Sequence, residues 1–119
     1  MTSRQGRSRN RRSRSELVVI YWRDIPAQVT ARFGEEKMAV TLHRRFQAAI
    51  DRAAMVAGKK TYDEYISEWR RTSRPCQGNV EEEARRAAAR LEQEYPSDRV
   101  RAIASNGGFE ESASEEGTS

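Results

Sequence analysis

Arg23 and Asp24 are the charged residues whose position in the sequence best suits binding. They follow the apolar stretch of residues 17–22 directly, and Pro26 comes two residues later. A guanidinium at the end of a strand can hold an anion or an acidic partner through charge-assisted hydrogen bonds. Together with the neighbouring Trp22, these residues form the candidate partner- or anion-binding site. The alternative is an ordinary Asp-initiated turn beside a surface arginine, with Trp22 packed in the core.

A second group of cations fills the start of the chain. Residues 1–15 contain six arginines and no acidic residue. Such an arm can bind phosphates with salt-sensitive affinity and without sequence readout. No helix-turn-helix, zinc-finger or RNP-type pattern accompanies it, so a solvated extension is the alternative. The candidate nucleic-acid contacts are Arg4, Arg7, Arg9, Arg11, Arg12 and Arg14.

Residue types restrict the catalytic chemistry available to this chain. It has one cysteine, Cys76, and one histidine, His43, far apart in sequence, so no Cys-His pair or usual metal-ligand spacing is present. No Gly-rich phosphate loop, dinucleotide fingerprint or Ser-His-Asp set occurs. We therefore expect a non-enzymatic protein with no catalytic residue, no metal ligand and no cofactor.

The apolar pattern bears on the cellular location. Residues 17–22 form the longest apolar run, far short of the about 20 residues that a spanning helix needs. Glu16 and Arg23 bracket this run, which argues against an export signal despite the arginines before it. A lone cysteine suits a reducing compartment. We expect a cytoplasmic protein that does not enter a membrane.

The distribution of charge divides the chain into three parts. Residues 1–15 are predicted to be a disordered Arg-rich arm, and residues 105–119, with four glutamates and no basic residue, a disordered acidic tail. Residues 16–104 hold the periodic apolar positions and are predicted to form a single domain.

Two strands are predicted at the start of this domain, at residues 17–22 and 27–33, joined by the turn at Asp24. Apolar residues at steps of three and four then predict one helix over residues 35–57. Thr61 and Glu64 have capping-box spacing, which predicts a second helix ending near Arg74, and Asn79 caps a third that Pro96 ends. Residues 99–104 are predicted to be a short strand. The expected fold is α+β: a small antiparallel β-hairpin plus a short third strand, packed against about three helices.

Three stretches, YWRDIPAQV (residues 21–29), RRFQAAIDRAAMVAG (residues 44–58) and YDEYISEW (residues 62–69), together resemble a bacterial domain family labelled virulence factor. The likeness covers residues 17–71. Similar domains occur as small proteins like this chain. In other proteins, such a domain is joined to a domain similar to iron-sulfur scaffold proteins and to helical repeats. The resemblance implies no catalytic residues. It implies an accessory role, because the small versions are encoded beside genes of one-carbon and corrinoid methyl transfer.

Two functions remain open from the sequence, and electrostatics distinguishes them. The first is a non-catalytic accessory domain that docks on a partner protein through its helical layer or the Arg23–Asp24 corner. The alternative is a small, sequence-independent nucleic-acid-binding module that uses the arm. Protein docking requires an apolar or mixed patch, whereas nucleic-acid binding requires a basic face of the domain beside the arm. A subunit that completes another protein's active site is a third possibility.

Overall fold

A four-stranded antiparallel sheet organises the chain. The computed structural model describes residues 15–110, so the predicted disorder of residues 1–14 and 111–119 lies outside the described residues. The strands are β1 (Ser15–Trp22), β2 (Ile25–Phe33), β3 (Glu36–Thr41) and β4 (Trp69–Cys76). Their order across the sheet is β3-β2-β1-β4.

Four helices occur in the described part of the chain: α1 (Arg44–Val56), α2 (Tyr62–Ile66), α3 (Val80–Glu94) and α4 (Ser97–Ser105). At the start of three of these helices, a side chain accepts a hydrogen bond from a free backbone amide. His43 accepts from the Arg45 amide, and Asn79 accepts from the Glu82 amide. Thr61 forms the predicted capping box with Glu64. His43 is thus used as a helix cap.

The core lies between the sheet and the helices. Leu17 of β1 pairs with Ala31 of β2, and Val19 pairs with Val29, so these side chains share one face of the sheet. Small alanines on the helices let α1 and α3 approach β2 closely. The helical residues buried in this core are Phe46, Ala49, Ile50, Ala53, Ala54, Ala84, Ala87, Ala88, Val100, Ile103 and Ala104.

The α+β class and the hairpin of the first two strands are confirmed, but three elements were assigned wrongly. The single helix predicted over residues 35–57 is strand β3 followed by α1. Met38 and Val40 alternate with exposed neighbours on β3, and a spacing of four from Met38 to Leu42 fits both a strand and a helix. His43 then starts the helix.

The two other errors concern the third strand. Residues 99–104 belong to helix α4, because Val100, Ile103 and Ala104 are spaced to share one helical face and all are buried. The helix predicted after Thr61 ends at Ile66, and β4 follows it. Strand β4 pairs with β1 over its whole length, and six of its eight residues are exposed. An edge strand exposed on both faces carries no apolar periodicity, so no pattern in the sequence indicates it.

None of the helices within residues 15–110 is long and apolar enough to cross a membrane.

Candidate functional site

The corner at Arg23 and Asp24 is a two-residue turn between β1 and β2, since Trp22 pairs with Ile25. Arg23 adopts a φ of 55°, which places it in the left-handed region. A residue with a Cβ is disfavoured there by about 1–2 kcal/mol. The surrounding contacts must therefore hold Arg23 in place.

The side chain of Arg23 is enclosed by neighbours and is only 12% exposed. Its Nε donates to the carboxylate of Glu68 at 3.1 Å, and its Nη1 donates to the carbonyl oxygen of Gly107 at 2.9 Å. The guanidinium lies 4.5 Å from the centre of the Phe109 ring and 5.3 Å from that of Trp22. Lys59 reaches the same carboxylate at 3.3 Å. Arg23 therefore joins the end of β1 to the turn before β4 and to the segment after α4.

Asp24 makes the complementary contacts on the other side of the turn. One carboxylate oxygen accepts from Arg70 at 3.3 Å, and the other accepts from the amide of Glu110 at 2.9 Å. Its own amide donates to the carbonyl oxygen of Gly108 at 2.8 Å. Arg70 also donates to the carbonyl oxygen of Arg23. Both charged residues of the corner are thus engaged within the domain.

Trp22 is part of the core and has no exposed surface. Its indole N–H donates to the carbonyl oxygen of Tyr65 at 2.9 Å, and the two rings stack with centroids 5.7 Å apart. Trp22 therefore occupies the core, as the alternative interpretation of the corner predicted, and is not exposed to a partner. These contacts connect the end of β1 to α2 directly beside the corner.

Residues 105–110 continue the fold beyond the domain boundary predicted at 104. A Cβ on Gly108 would lie 3.1 Å from both Arg23 and Trp22, so only glycine fits there, at a φ of 100°. Glu110 then forms a two-pronged pair with Arg99, with distances of 2.6 and 2.9 Å. The sequence contains one indication that the fold continues past residue 104: a pair of glycines precedes Phe109, the one large apolar residue of an otherwise polar tail.

Ion pairs fix the charge states at the corner. The hydrogen bond from Arg23, helped by Lys59, lowers the pKa of Glu68 against the opposing effect of burial. The hydrogen bond from Arg99 likewise lowers the pKa of Glu110. Both carboxylates therefore stay ionised at neutral pH. Burial raises the pKa of the Cys76 thiol, and the nearby Glu83 adds to the increase, so this cysteine is not activated as a nucleophile.

Large exposed apolar side chains concentrate next to the corner. Six such residues occur in the described part of the chain, and five of them lie where α1 ends, where α2 begins and ends, and in the segment after α4. The end of α1 and the segment after α4 touch, since a Cβ on Gly107 would lie 3.6 Å from that of Ala57, and α2 lies against the corner through Tyr65, which stacks on Trp22. We name these five residues the apolar end: Met55, Val56, Tyr62, Ile66 and Phe109.

This arrangement leaves large apolar side chains open to solvent. Exposure is largest at Met55, 79%, and Tyr62, 76%, while Phe109 is 49% exposed and stacks on Arg23. Through Arg23, the corner therefore fixes Phe109 in relation to Glu68, which follows α2 by two residues. Within residues 15–110, no group of three His, Cys, Asp or Glu side chains could hold a metal ion.

Comparison with known proteins is consistent with the resemblance in the sequence. Neither the curated proteins nor the solved structures include a match to this chain. The family model described as Virulence factor matches residues 20–104, which include β2 to α3 in full, the end of β1 and nearly all of α4. The chain therefore belongs to the Virulence factor family.

Proposed function

We propose that this domain is a non-catalytic, cytoplasmic accessory protein that docks on a partner protein through the apolar end. The observation that carries the proposal is the concentration of exposed apolar side chains at one end of the fold. Isolated exposed hydrophobic residues are normal on a soluble protein, whereas a contiguous group marks a binding surface. The sixth large exposed residue, Phe33, stands apart where β2 ends.

The corner supports this proposal by making the surface rigid. Arg23 holds Phe109 and Glu68, and Glu68 follows α2 by two residues. A surface whose side chains are fixed before binding loses less conformational entropy when the partner arrives. The sequence predicted the corner as the contact itself, and the geometry favours a positioning role for Arg23 and Asp24.

The partner that fits is a protein with apolar side chains beside an acidic group. Lys60 lies between α1 and α2, and no carboxylate in the described part of the chain lies within 4.0 Å of its ammonium. An acidic residue at the edge of the partner's apolar patch would pair with it and set the orientation. The family resemblance makes corrinoid and one-carbon methyl-transfer proteins the first partners to test.

The experiment is recovery of partners with the full-length tagged chain and two matched variants. Met55→Ser with Tyr62→Ser should abolish recovery of the partner, while the Tm stays near that of the unchanged protein because both residues are exposed. Phe33→Ser removes an exposed aromatic residue elsewhere and should leave recovery unchanged. Equal recovery of the partner by all three proteins would refute the proposal. If the chain recovers only copies of itself, and the double variant no longer does so, the apolar end is a self-association surface and the proposal is also refuted.

A second candidate function is favoured by the position of the N-terminal arm. Ser15 begins β1 and pairs with Cys76 at the end of β4, so the arm joins the sheet beside that end. Arg71 and Arg74 on this exposed strand have no carboxylate within 4.0 Å in the described part. Arg71 and Arg74 lie on opposite faces of this edge strand, so the arm and β4 would together supply basic side chains around the edge of the sheet for the phosphates of a nucleic acid.

Salt dependence tests this second candidate. Fluorescence anisotropy with a labelled single strand should show weak binding, and deletion of residues 1–14 should reduce the slope of log K against log salt, because each lost phosphate contact removes about 0.7 from it on single strands. Arg71→Gln with Arg74→Gln should reduce the slope further. Arg85→Gln with Arg86→Gln on α3 is the control of equal charge. No binding at low salt would eliminate this function.

A further inference from the structure

The groove between α1 and α4 forms a pocket that the proposed function does not use. Its volume is about 190 Å³, somewhat more than the roughly 150 Å³ of an engineered cavity that holds benzene. Ala48 on α1 and Val100 and Ala104 on α4 contribute an apolar floor. Small side chains on both helices leave this space open.

Three arginines line the same pocket: Arg45 and Arg52 on α1, and Arg101 on α4. Like charges that converge on a small volume repel one another unless an anion lies between them. Asp98 is the one acid that pairs with any of the three among residues 15–110, at 3.3 Å from Arg101. That pair is weak, because the side chain of Asp98 is 96% exposed.

Arg45 is held in position before any ligand arrives. Its Nη2 donates to the carbonyl oxygens of Glu92 at 2.7 Å and Tyr95 at 3.1 Å, and the guanidinium lies 4.8 Å from the centre of the Phe46 ring. Carbonyl oxygens at the end of α3 carry only partial negative charge, so most of the positive charge of Arg45 remains available. A fixed cation gains more from an anion than a mobile one, because less side-chain entropy is lost.

The start of α4 adds further donors at one side of the pocket. Ser97, the first residue of this helix, lines the pocket, and no side chain caps the helix, which begins after Pro96. The first amides of a helix point toward its N-terminus and favour an anion there. They supplement the three arginines.

We infer that this pocket binds a small organic anion whose carboxylate or phosphate head contacts Arg52 and Arg101, and whose short apolar body rests on the floor. Arg45 supplies a fixed positive field behind them. The guanidinium fork suits both kinds of head through paired hydrogen bonds. The apolar floor distinguishes such a ligand from an inorganic ion, which would leave it exposed to water.

Titration calorimetry of the full chain with benzoate and phenyl phosphate tests this assignment. Both probes should bind saturably with a dissociation constant of about 1 mM or tighter, the range open to a ligand of so few atoms. Benzyl alcohol, which lacks the charge, and inorganic phosphate, which lacks the body, should each bind at least about tenfold more weakly, a difference of about 1.4 kcal/mol.

Two variants of equal charge locate the site. Arg52→Gln with Arg101→Gln should weaken benzoate binding at least tenfold, while Arg85→Gln with Arg86→Gln on α3 leaves it unchanged. All four side chains are exposed, so the Tm should stay near that of the unchanged chain. Absence of saturable binding, equal weakening by both pairs, or inorganic phosphate binding as tightly as phenyl phosphate would each overturn the inference. An acidic peptide that binds where benzoate does not would assign the groove to a macromolecule instead.

Discussion

Replacement of Arg23 by alanine should destabilise the domain, although the sequence suggested an exposed arginine. The change removes a hydrogen bond to the carboxylate of Glu68 and one to the carbonyl oxygen of Gly107. Hydrogen bonds to charged groups contribute about 1.5–3 kcal/mol each. Lys59 still reaches Glu68 at 3.3 Å and limits the loss there. We expect the free energy of unfolding to fall by about 2–4 kcal/mol.

A glycine at the same position separates the contacts from the backbone. Alanine keeps the strain of a φ of 55°, whereas glycine adopts this conformation without penalty. Arg23→Gly should therefore be about 1 kcal/mol more stable than Arg23→Ala. The control is Arg70→Ala, whose side chain is 48% exposed and should cost no more than about 1 kcal/mol.

Urea unfolding at neutral pH, followed by tryptophan fluorescence, measures these differences. The two tryptophans, Trp22 and Trp69, face each other in the register of β1 and β4, so the signal reports on the corner. A loss below about 0.5 kcal/mol for Arg23→Ala, the range of ordinary surface changes, would show that the arginine is an exposed contact. A glycine variant less stable than the alanine variant would refute the account of the strained backbone.

Three further results are expected. Phe46→Ala should lower the free energy of unfolding by about 3–5 kcal/mol in urea titrations, because the ring is 1% exposed in the core. The stability that Glu68 and Glu110 contribute should be fully present above about pH 4.3, the usual pKa of glutamate. It should be lost as acid protonates these two carboxylates, because their pKa values are lowered in the fold. Glu110→Gln should make the free energy of unfolding less dependent on pH in this range. Gly108→Ala should lower the Tm more than Gly34→Ala, because a Cβ meets Arg23 and Trp22 at the first site and nothing at the second, while both have positive φ.

Sequence patterns were reliable where one periodicity explained the apolar residues. The hairpin of β1 and β2 follows from β-branched and aromatic residues on either side of a turn, and the caps at Thr61 and Asn79 follow from local hydrogen bonding. Helix α3 combines such a cap with a stripe of alanines. These features depend on residues close together in the chain, so the sequence contains the information needed to predict them.

Apolar periodicity predicted the wrong element where it fits both a helix and a strand. It predicted no strand where the side chains are exposed on both faces. Met38 and Leu42 are separated by four residues, which is a whole number of strand repeats as well as about one helical turn. Strand β4 exposes most of its side chains, and its strand conformation comes from hydrogen bonds to β1. Pairing between distant segments overrides local preference, and local sequence does not encode it.

The candidate site likewise has one part that the sequence predicts and another that depends on the tertiary structure. The sequence alone determined that Arg23 and Asp24 form a turn after an apolar strand, because residue type and the neighbouring proline decide local backbone conformation. Only the tertiary structure decided what the turn holds: it brings Glu68, Gly107 and Glu110 to it from segments 45 to 86 residues away. It also gathered the apolar end and the arginine pocket from separate helices. Such surfaces arise from packing, because the side chains that form them are neighbours in space without being neighbours in sequence.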